Sequence, residues 1–344
     1  MAYTTIDDPS AHHQSVLWTG NGGTQAITFG GNSDMQPDLL WTKNRNDTHD
    51  PIIRDTSRGI SERLLTHATD AAGGATGTTA FGSDGFTLDS TVTVNSNSNT
   101  FVAWGWKANG GTTSSNTDGN VTVTLQANTT AGFSIGTWTS NGNTNGTIGH
   151  GLGARPDIVI TKERNDTGNW NVLIPEYASN EMAFLQSTNG FSAASGINTV
   201  GSSTFKDGDG ADGNTRVFYA FRSIKGYSKI GKYKGNGAEP GGPFIFTGFK
   251  PAWFIIHGAS ENGQAWFIGD NKRSPYNPCL EKLASNVNAA ESATAGDNNW
   301  DFLSNGFKIK TQDDGLNKNG VTYIYMAFAE NPFVSSEGIP TTAR

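Results

Sequence analysis

The sequence predicts an all-β chain of three tandem β-sandwich, jelly-roll-like domains related by an internal repeat. Two observations predict it. A set of anchors recurs three times, and short apolar bursts alternate with Gly, Asn, Asp and Ser turns, as antiparallel β-structure requires. Each copy opens on an aromatic strand end running into Asn-Gly: Trp18–Gly22, Trp138–Gly142 and Tyr233–Gly237. A proline follows at offsets of 19, 18 and 18 residues, as Pro37, Pro156 and Pro251, although the copies lie 120 and 95 residues apart. An offset that holds while the spacing between copies varies marks a repeated unit.

The elements follow in order. After each proline comes an apolar strand: Asp38–Trp41, Asp157–Ile160 and Ala252–Ile256. The first two copies then share Lys-x-Arg-Asn-Asp-Thr, as Lys43–Thr48 and Lys162–Thr167, where the third reads His257–Asn262. A Gly-Phe turn is read at Gly85-Phe86, Gly190-Phe191 and Gly306-Phe307. Each copy ends in an aromatic-rich strand, Phe101–Trp106, Val217–Phe221 and Tyr323–Phe328. Val121–Leu125 and Phe307–Thr311 alternate with period two, as half-buried strands do. Only the stretch around Leu280–Ala290 carries a weak helical pattern.

These anchors divide the chain into sandwich repeats at 1–107, 120–223 and 224–334, with a tail at 335–344. Each repeat is about 100 residues, a usual domain size, and is expected to own its core. That period is too long for solenoid repeats. Residues 108–119, rich in Gly, Asn, Ser and Thr, read as a flexible linker. The second junction, Phe221–Tyr227, has almost no spacer. Repeats two and three are therefore expected to dock rigidly, and repeat one more loosely.

Composition excludes several classes. Net charge is −7 and charged residues are 16%, without the clustered Lys/Arg of a nucleic-acid surface. No apolar run approaches the 18–20 residues of a membrane span. One cysteine, Cys279, allows no intrachain disulfide. The opening Met1–Pro9 has neither the basic region nor the apolar stretch of a secretory signal, so cytosolic assembly is expected.

Few constellations point to chemistry. Asp207, Asp209 and Asp212, spaced by glycines, form the best Ca²⁺ candidate, since Ca²⁺ takes clustered carboxylate and carbonyl oxygens. The EF-hand register fails there, with Ala211 and Phe218 where acidic ligands are needed, and an Asp-Gly hairpin turn is the competing reading. The loops Arg45, Asn46, Asp47 and Arg164, Asn165, Asp166 suit Asx-turns. Beside Trp41 and Trp170 they also suit glycan contact, polar groups on hydroxyls and the ring on a sugar face. Asp55–Arg58 and Asp270–Arg273 read as local ion pairs closing a turn, with a glycan-contacting loop as the alternative. His12-His13 reads as an exposed terminal pair, able to take up metal adventitiously. No nucleophile elbow or phosphate loop appears, so a non-enzymatic role is expected.

The opening Met1–Ser10, the three aromatic–Asn-Gly turns, Gly149–Gly153 with Pro156-Asp157, Gly248–Pro251, Asp270–Arg273, Phe302–Lys308 and Tyr323–Glu330 carry a resemblance. Together they resemble structural proteins of marine tailed bacteriophages that contain a repeated domain of unknown function. The resemblance spans nearly the whole chain and implies a virion surface component, assembled in the host cytoplasm. It implies a tail-fibre or particle structural protein; with the triple repeat and the Asn-Asp loops, other virion proteins and host-surface glycan are the expected partners. A homo-oligomer, a trimer among the options, fits that role, although no heptad pattern enforces one. Capsid decoration and a glycan-binding or glycan-cleaving module stand as the alternatives.

Overall fold

The computed structural model describes residues 3–142, 145–177, 181–194, 199–206, 212–293 and 299–342. The protein is all-β, built from open antiparallel sheets, with two single-turn α-helices at Val92–Asn95 and Asp314–Asn317 and a 3-10 turn at Pro9–Ala11 among the described residues. The repeat reappears as topology. In repeat one the strand order is His13–Thr19, Thr100–Trp106, Leu39–Asn44, Ile52–Asp55, Leu64–Leu65. Repeat three has the same order: Ser228–Lys234, Thr322–Pro332, Phe249–Gly258, Phe267–Asp270, Leu283–Ala284. Repeat two keeps this core order with Phe133–Thr139, Thr215–Phe221, Ile158–Glu163, Asn171–Leu173 and Glu181–Phe184. It adds Ser192–Ala193 at one edge and Val123–Asn128 with Ser114–Asn116 at the other, making eight strands.

The Asn-Gly anchor is a turn that needs glycine. Gly22, Gly142 and Gly237 sit at φ of 68°, 72° and 64°, where a Cβ is strained. The side-chain carbonyls of Asn21 and Asn236 accept from the backbone N–H two residues on, closing Asx-turns. Each turn feeds a short strand of a second, smaller sheet: Gln25–Ile27, Thr147–Gly149 and Phe244–Phe246.

The Gly-Phe anchor holds in two repeats and fails in one. Phe86 pairs with Ile27 and Phe307 with Ile245, and a Cβ on Gly85 or Gly306 would collide with those isoleucines' carbonyl oxygens. In repeat two the equivalent pairing is Ile148 with Phe205, which follows Thr204. Gly190-Phe191 therefore belongs elsewhere: its backbone N–H groups reach toward repeat three. The weak helical pattern near Leu280–Ala290 is not helix; Leu283–Ala284 is a strand paired to Phe267-Ile268.

Each terminal strand is buried on both faces. Phe101 and Ala103 face one outer cluster, Phe218 and Ala220 a second, and Tyr323, Tyr325 and Ala327 a third. The alternate residues Val102, Trp104, Trp106, Val217, Tyr219, Phe221, Ile324, Met326 and Phe328 all enter one common core. A strand buried on both sides reads as a continuous apolar run, as these three do. At the centre, the equivalent rings of Trp106, Phe221 and Phe328 form a triangle with centroid separations of 6.1, 5.6 and 5.7 Å. Aromatic contacts at such separations add about 0.5–1.5 kcal/mol each beyond area burial. The three repeats thus pack around a pseudo-threefold axis.

This arrangement corrects two expectations. Repeat one is not loosely attached: each repeat does own an outer cluster, but all three also share the common core. Residues 108–119 do not behave as a free spacer either. Asp38 accepts hydrogen bonds from the N–H groups of Ala108 and Gly110 at 2.7 and 2.9 Å, and Ser114–Asn116 pairs with Val123–Leu125. Polar composition alone suggested flexibility; a buried carboxylate across the joint removes it.

Candidate functional site

The loops singled out by sequence serve the joints between repeats. The side chains of Trp41 and Trp170 are 3% and 0% exposed and lie in the common core, so neither offers a ring to a sugar. Trp41 sits on a strand covered on both faces, and Trp170 immediately precedes one, a covering that a single strand's sequence does not show. Arg45 and Arg164 each pair with a carboxylate of a neighbouring repeat, Glu291 and Glu62, at 2.7 Å. Asn46, Asp47, Asn165 and Asp166 are exposed. Asn46 and Asn165 accept from the N–H of Thr100 and Thr215, each at 2.8 Å, so the two loops are turns of one design. Asp207 and Asp209 lie outside the described residues, and Asp212 is exposed. Among the described residues, no group of three or more His, Cys, Asp or Glu is placed to hold a metal.

The joints form a ring in which each repeat clasps the previous one. The N–H groups of Glu291, Ala72 and Phe191 donate across to the carbonyls of Arg45, Arg164 and Ala259, at 2.7, 2.7 and 2.8 Å. Lys43, Lys162 and His257 occupy one equivalent position, paired with Val102, Val217 and Ile324. The two ammonium groups donate to the carbonyls of Asn288 and Thr69, and the imidazole Nε2 of His257 meets that of Asn189. Burial pushes Lys43 and Lys162 down to about 8, and His257 down to about 4. Trp170 and Trp266 donate their indole N–H groups to Leu65 and Phe184 of the preceding repeats; at the third joint, Thr66 donates to Ser285. Proline at position 51 replaces the tryptophan there.

Buried ion pairs occupy two of the three joints. Asp55–Arg58 and Asp270–Arg273 are wholly buried, with N–O distances of 2.5 Å. They close their turns as local ion pairs, as expected, and their burial leaves them no surface for a glycan. Tyr219 donates to Asp55 at 2.6 Å from repeat two, and Trp104 donates to Asp270 at 3.0 Å from repeat one. Burial alone would raise the Asp270 carboxyl, but the Arg273 charge and four hydrogen-bonding groups around it hold it below the usual range. Burial opposes the Arg273 charge too, and Asp270 and Glu291 outweigh it, raising that pKa.

A second set of equivalent places lies along the outer seams, between the first strand of one repeat and the short strands of another. At the seam between repeats one and two, the Gln126 amide donates to Thr56 and Ser57 at 2.7 and 2.9 Å and accepts from Asn109 and Gly111. That seam is filled. The seam between repeats two and three leaves a cavity of about 30 Å³ beside Ile174, Tyr177, Ile230 and Lys232. The seam between repeats three and one is an open groove of about 510 Å³.

Strand register explains the difference. Ser15, Ile135 and Ile230 occupy one equivalent position, opposite Trp104, Tyr219 and Met326. The floor of the open groove is therefore serine where the other seams carry buried isoleucine. Beside it lies His13, 3% exposed, where repeats two and three have Phe133 and Ser228. Lys272 lines the groove where the other seams have Ser57 and Glu176, and Ala252 replaces Asp38 and Asp157. Asp8, Ser10, Asn271 and Glu330 complete the polar wall.

His13 is not an exposed terminal residue. Its ring lies 4.7 Å from Trp106 and 5.2 Å from Phe328, and Nδ1 is 3.0 Å from the carbonyl oxygen of Gly105. Burial drives its pKa down to about 3, so the ring is neutral at physiological pH. A carbonyl only accepts, so Nδ1 carries the proton and Nε2 presents a lone pair. That Nε2 and the Ser15 hydroxyl are buried without a hydrogen-bond partner among the described residues. Sequence reading missed this groove because it aligned anchors rather than the residues between them. The signal was present as Ser15 against Ile135 and Ile230.

The fold and its joints define a class first: an all-β protein made of a thrice-repeated sheet unit around one axis. The chain belongs to the family described as Domain of unknown function (DUF7483), which matches residues 8–332. No curated protein and no solved structure matches it.

Proposed function

We propose that the chain is a non-enzymatic structural protein of a tailed-bacteriophage virion surface, formed of three β-sandwich repeats and working in assembly and host-surface contact as part of a tail fibre or similar appendage. The closed ring of inter-repeat joints carries this reading. A chain whose buried ionisable groups hold its own repeats together is organised for a fixed shape. Burying Asp270, Arg273, Asp55 and Arg58 completely makes two of the three joints all-or-none, because separating one partner strands a buried charge. Such a body keeps its loops at constant mutual positions on a particle.

Capsid decoration is the second reading, favoured by the pseudo-threefold axis, which suits a seat on a local three-fold position of a head lattice. Immunogold labelling of purified particles tests both. Label at the tail supports the appendage, and label over the head at many sites supports decoration. Particles that carry no label and adsorb normally without the gene overturn both.

A further inference from the structure

We propose that the groove at the seam of repeats three and one is a binding site for a neutral, polyhydroxylated ligand of the saccharide class. The molecule supplies its own controls, because the same seam occurs three times and is open once. At about 510 Å³ the groove falls within the size range of small-molecule sites. A void of this size left by chance between apolar walls would be lined with apolar side chains. Here the floor residue is serine, and the equivalent floor residues of the shut seams are isoleucine.

The floor is also chemically incomplete. Buried polar atoms in native proteins are mostly hydrogen-bonded, and of the twelve left open among the described residues, two, His13 Nε2 and Ser15 Oγ, belong to residues that line this groove. His13 Nε2 offers a lone pair and Ser15 Oγ both donates and accepts. Both atoms are buried, so a ligand hydroxyl reaches either one as its side chain turns toward the groove: the O–H donates to Nε2, and the oxygen accepts from Ser15. The ring is neutral, so the floor carries no charge to attract an anion.

Charges around the rim balance. Glu330 is paired with Lys250 at 3.3 Å, and Asp8 is hydrogen-bonded by Ser10 and Ser33. Lys272 is exposed at the rim. Carboxylates and an ammonium group side by side suit hydroxyls, which both donate and accept, better than a phosphate or a strongly cationic group. The site is separate from the exposed Asn-Asp loops, and it is independent of where the protein sits on a particle.

The test uses the full chain with labelled histidine side chains and a panel of glucose, galactose, N-acetylglucosamine and their disaccharides. Imidazole nitrogen NMR reads the His13 Nε2 resonance directly, and a hydroxyl bonding to it moves that signal with saturable dependence on sugar. Ser15→Ile installs the residue that two equivalent positions already hold, so the variant is expected to fold. It should weaken binding by about tenfold or more, roughly 1.4 kcal/mol. Lys272→Ser, the residue of the first seam, should weaken it less. No response to any sugar overturns the proposal, as does an undiminished response in Ser15→Ile. A response that disappears only on changing Asp47 and Asp166 places binding in the loops and overturns it too.

Discussion

The three joints around the axis do the same mechanical work with two chemistries. In two of them a buried Asp–Arg pair receives a hydrogen bond from the next repeat, from Tyr219 or Trp104. In the third, the equivalent positions are Ile174, Tyr177 and Met326, with no charge at all. The residues change as a set. Where the acid–base pair is lost, the hydrogen-bond donor facing it is lost as well. A lone Asp against methionine would be a stranded charge, and a lone tyrosine hydroxyl against isoleucine an orphaned donor. The comparison teaches that the joint is a unit of three side chains contributed by two repeats, and that either complete set serves.

The strongest way to break this comparison is to leave one set incomplete. Asp270→Ala leaves buried Arg273 with Glu291 as its remaining carboxylate and orphans the Trp104 N–H, and should destabilise the fold by about 3 kcal/mol, read from denaturant midpoints at constant slope. Installing the whole apolar set, Trp104→Met with Asp270→Ile and Arg273→Tyr, should recover most of that loss, because Glu291 keeps Arg45 as a partner. A triple variant no more stable than Asp270→Ala would show that the joints are not interchangeable.

Acid should reveal the next effect. In the unfolded chain a histidine takes its proton near 6.5, whereas folded His13 and His257 stay neutral down to about 3 and about 4. The unfolded state therefore binds more protons within that window. Stability is at its full value above pH 6.5 and falls as pH drops toward 4. His13→Phe, which copies Phe133 of repeat two, should flatten the pH dependence of the thermal midpoint. An unchanged slope would mean that His13 is protonated in the fold.

Tyr219→Phe removes only a hydroxyl and leaves Asp55 paired with Arg58. The lost bond to a charged acceptor should cost about 1.5–3 kcal/mol, and the change should not alter repeat packing as seen by near-ultraviolet circular dichroism. The smallest effect is expected at Arg155–Glu176, an ion pair with side chains 43% and 68% exposed. Arg155→Ala should change stability by about 0–1 kcal/mol, an effect that salt erases. A larger loss there would blur the contrast between buried joints and surface pairs.

Several local features were legible in the residues. The Asn-Gly turns, the proline strands and the terminal strands fall where their patterns place them, because turn glycines and strand alternation depend on neighbours in sequence. The Gly-Phe anchor was misplaced in repeat two, where Thr204 stands before Phe205 and the glycine signal is gone. The site residues were less legible. Trp41 and Trp170 looked available because sequence shows one strand at a time, and their burial comes from a core shared between the repeats.

By itself, then, the sequence determined the class, the threefold repetition and the turns, since these follow from short-range steric rules and from period-two burial. It also held, unread, the clue that three consecutive apolar faces were too rich for one-sided sheets. Only the tertiary structure decided that the repeats share a core, that Asp270 and Arg273 face another repeat's tryptophan, and that one seam of three stays open. Those are contacts between residues more than a hundred positions apart, and their energies depend on which side chain arrives from the other repeat.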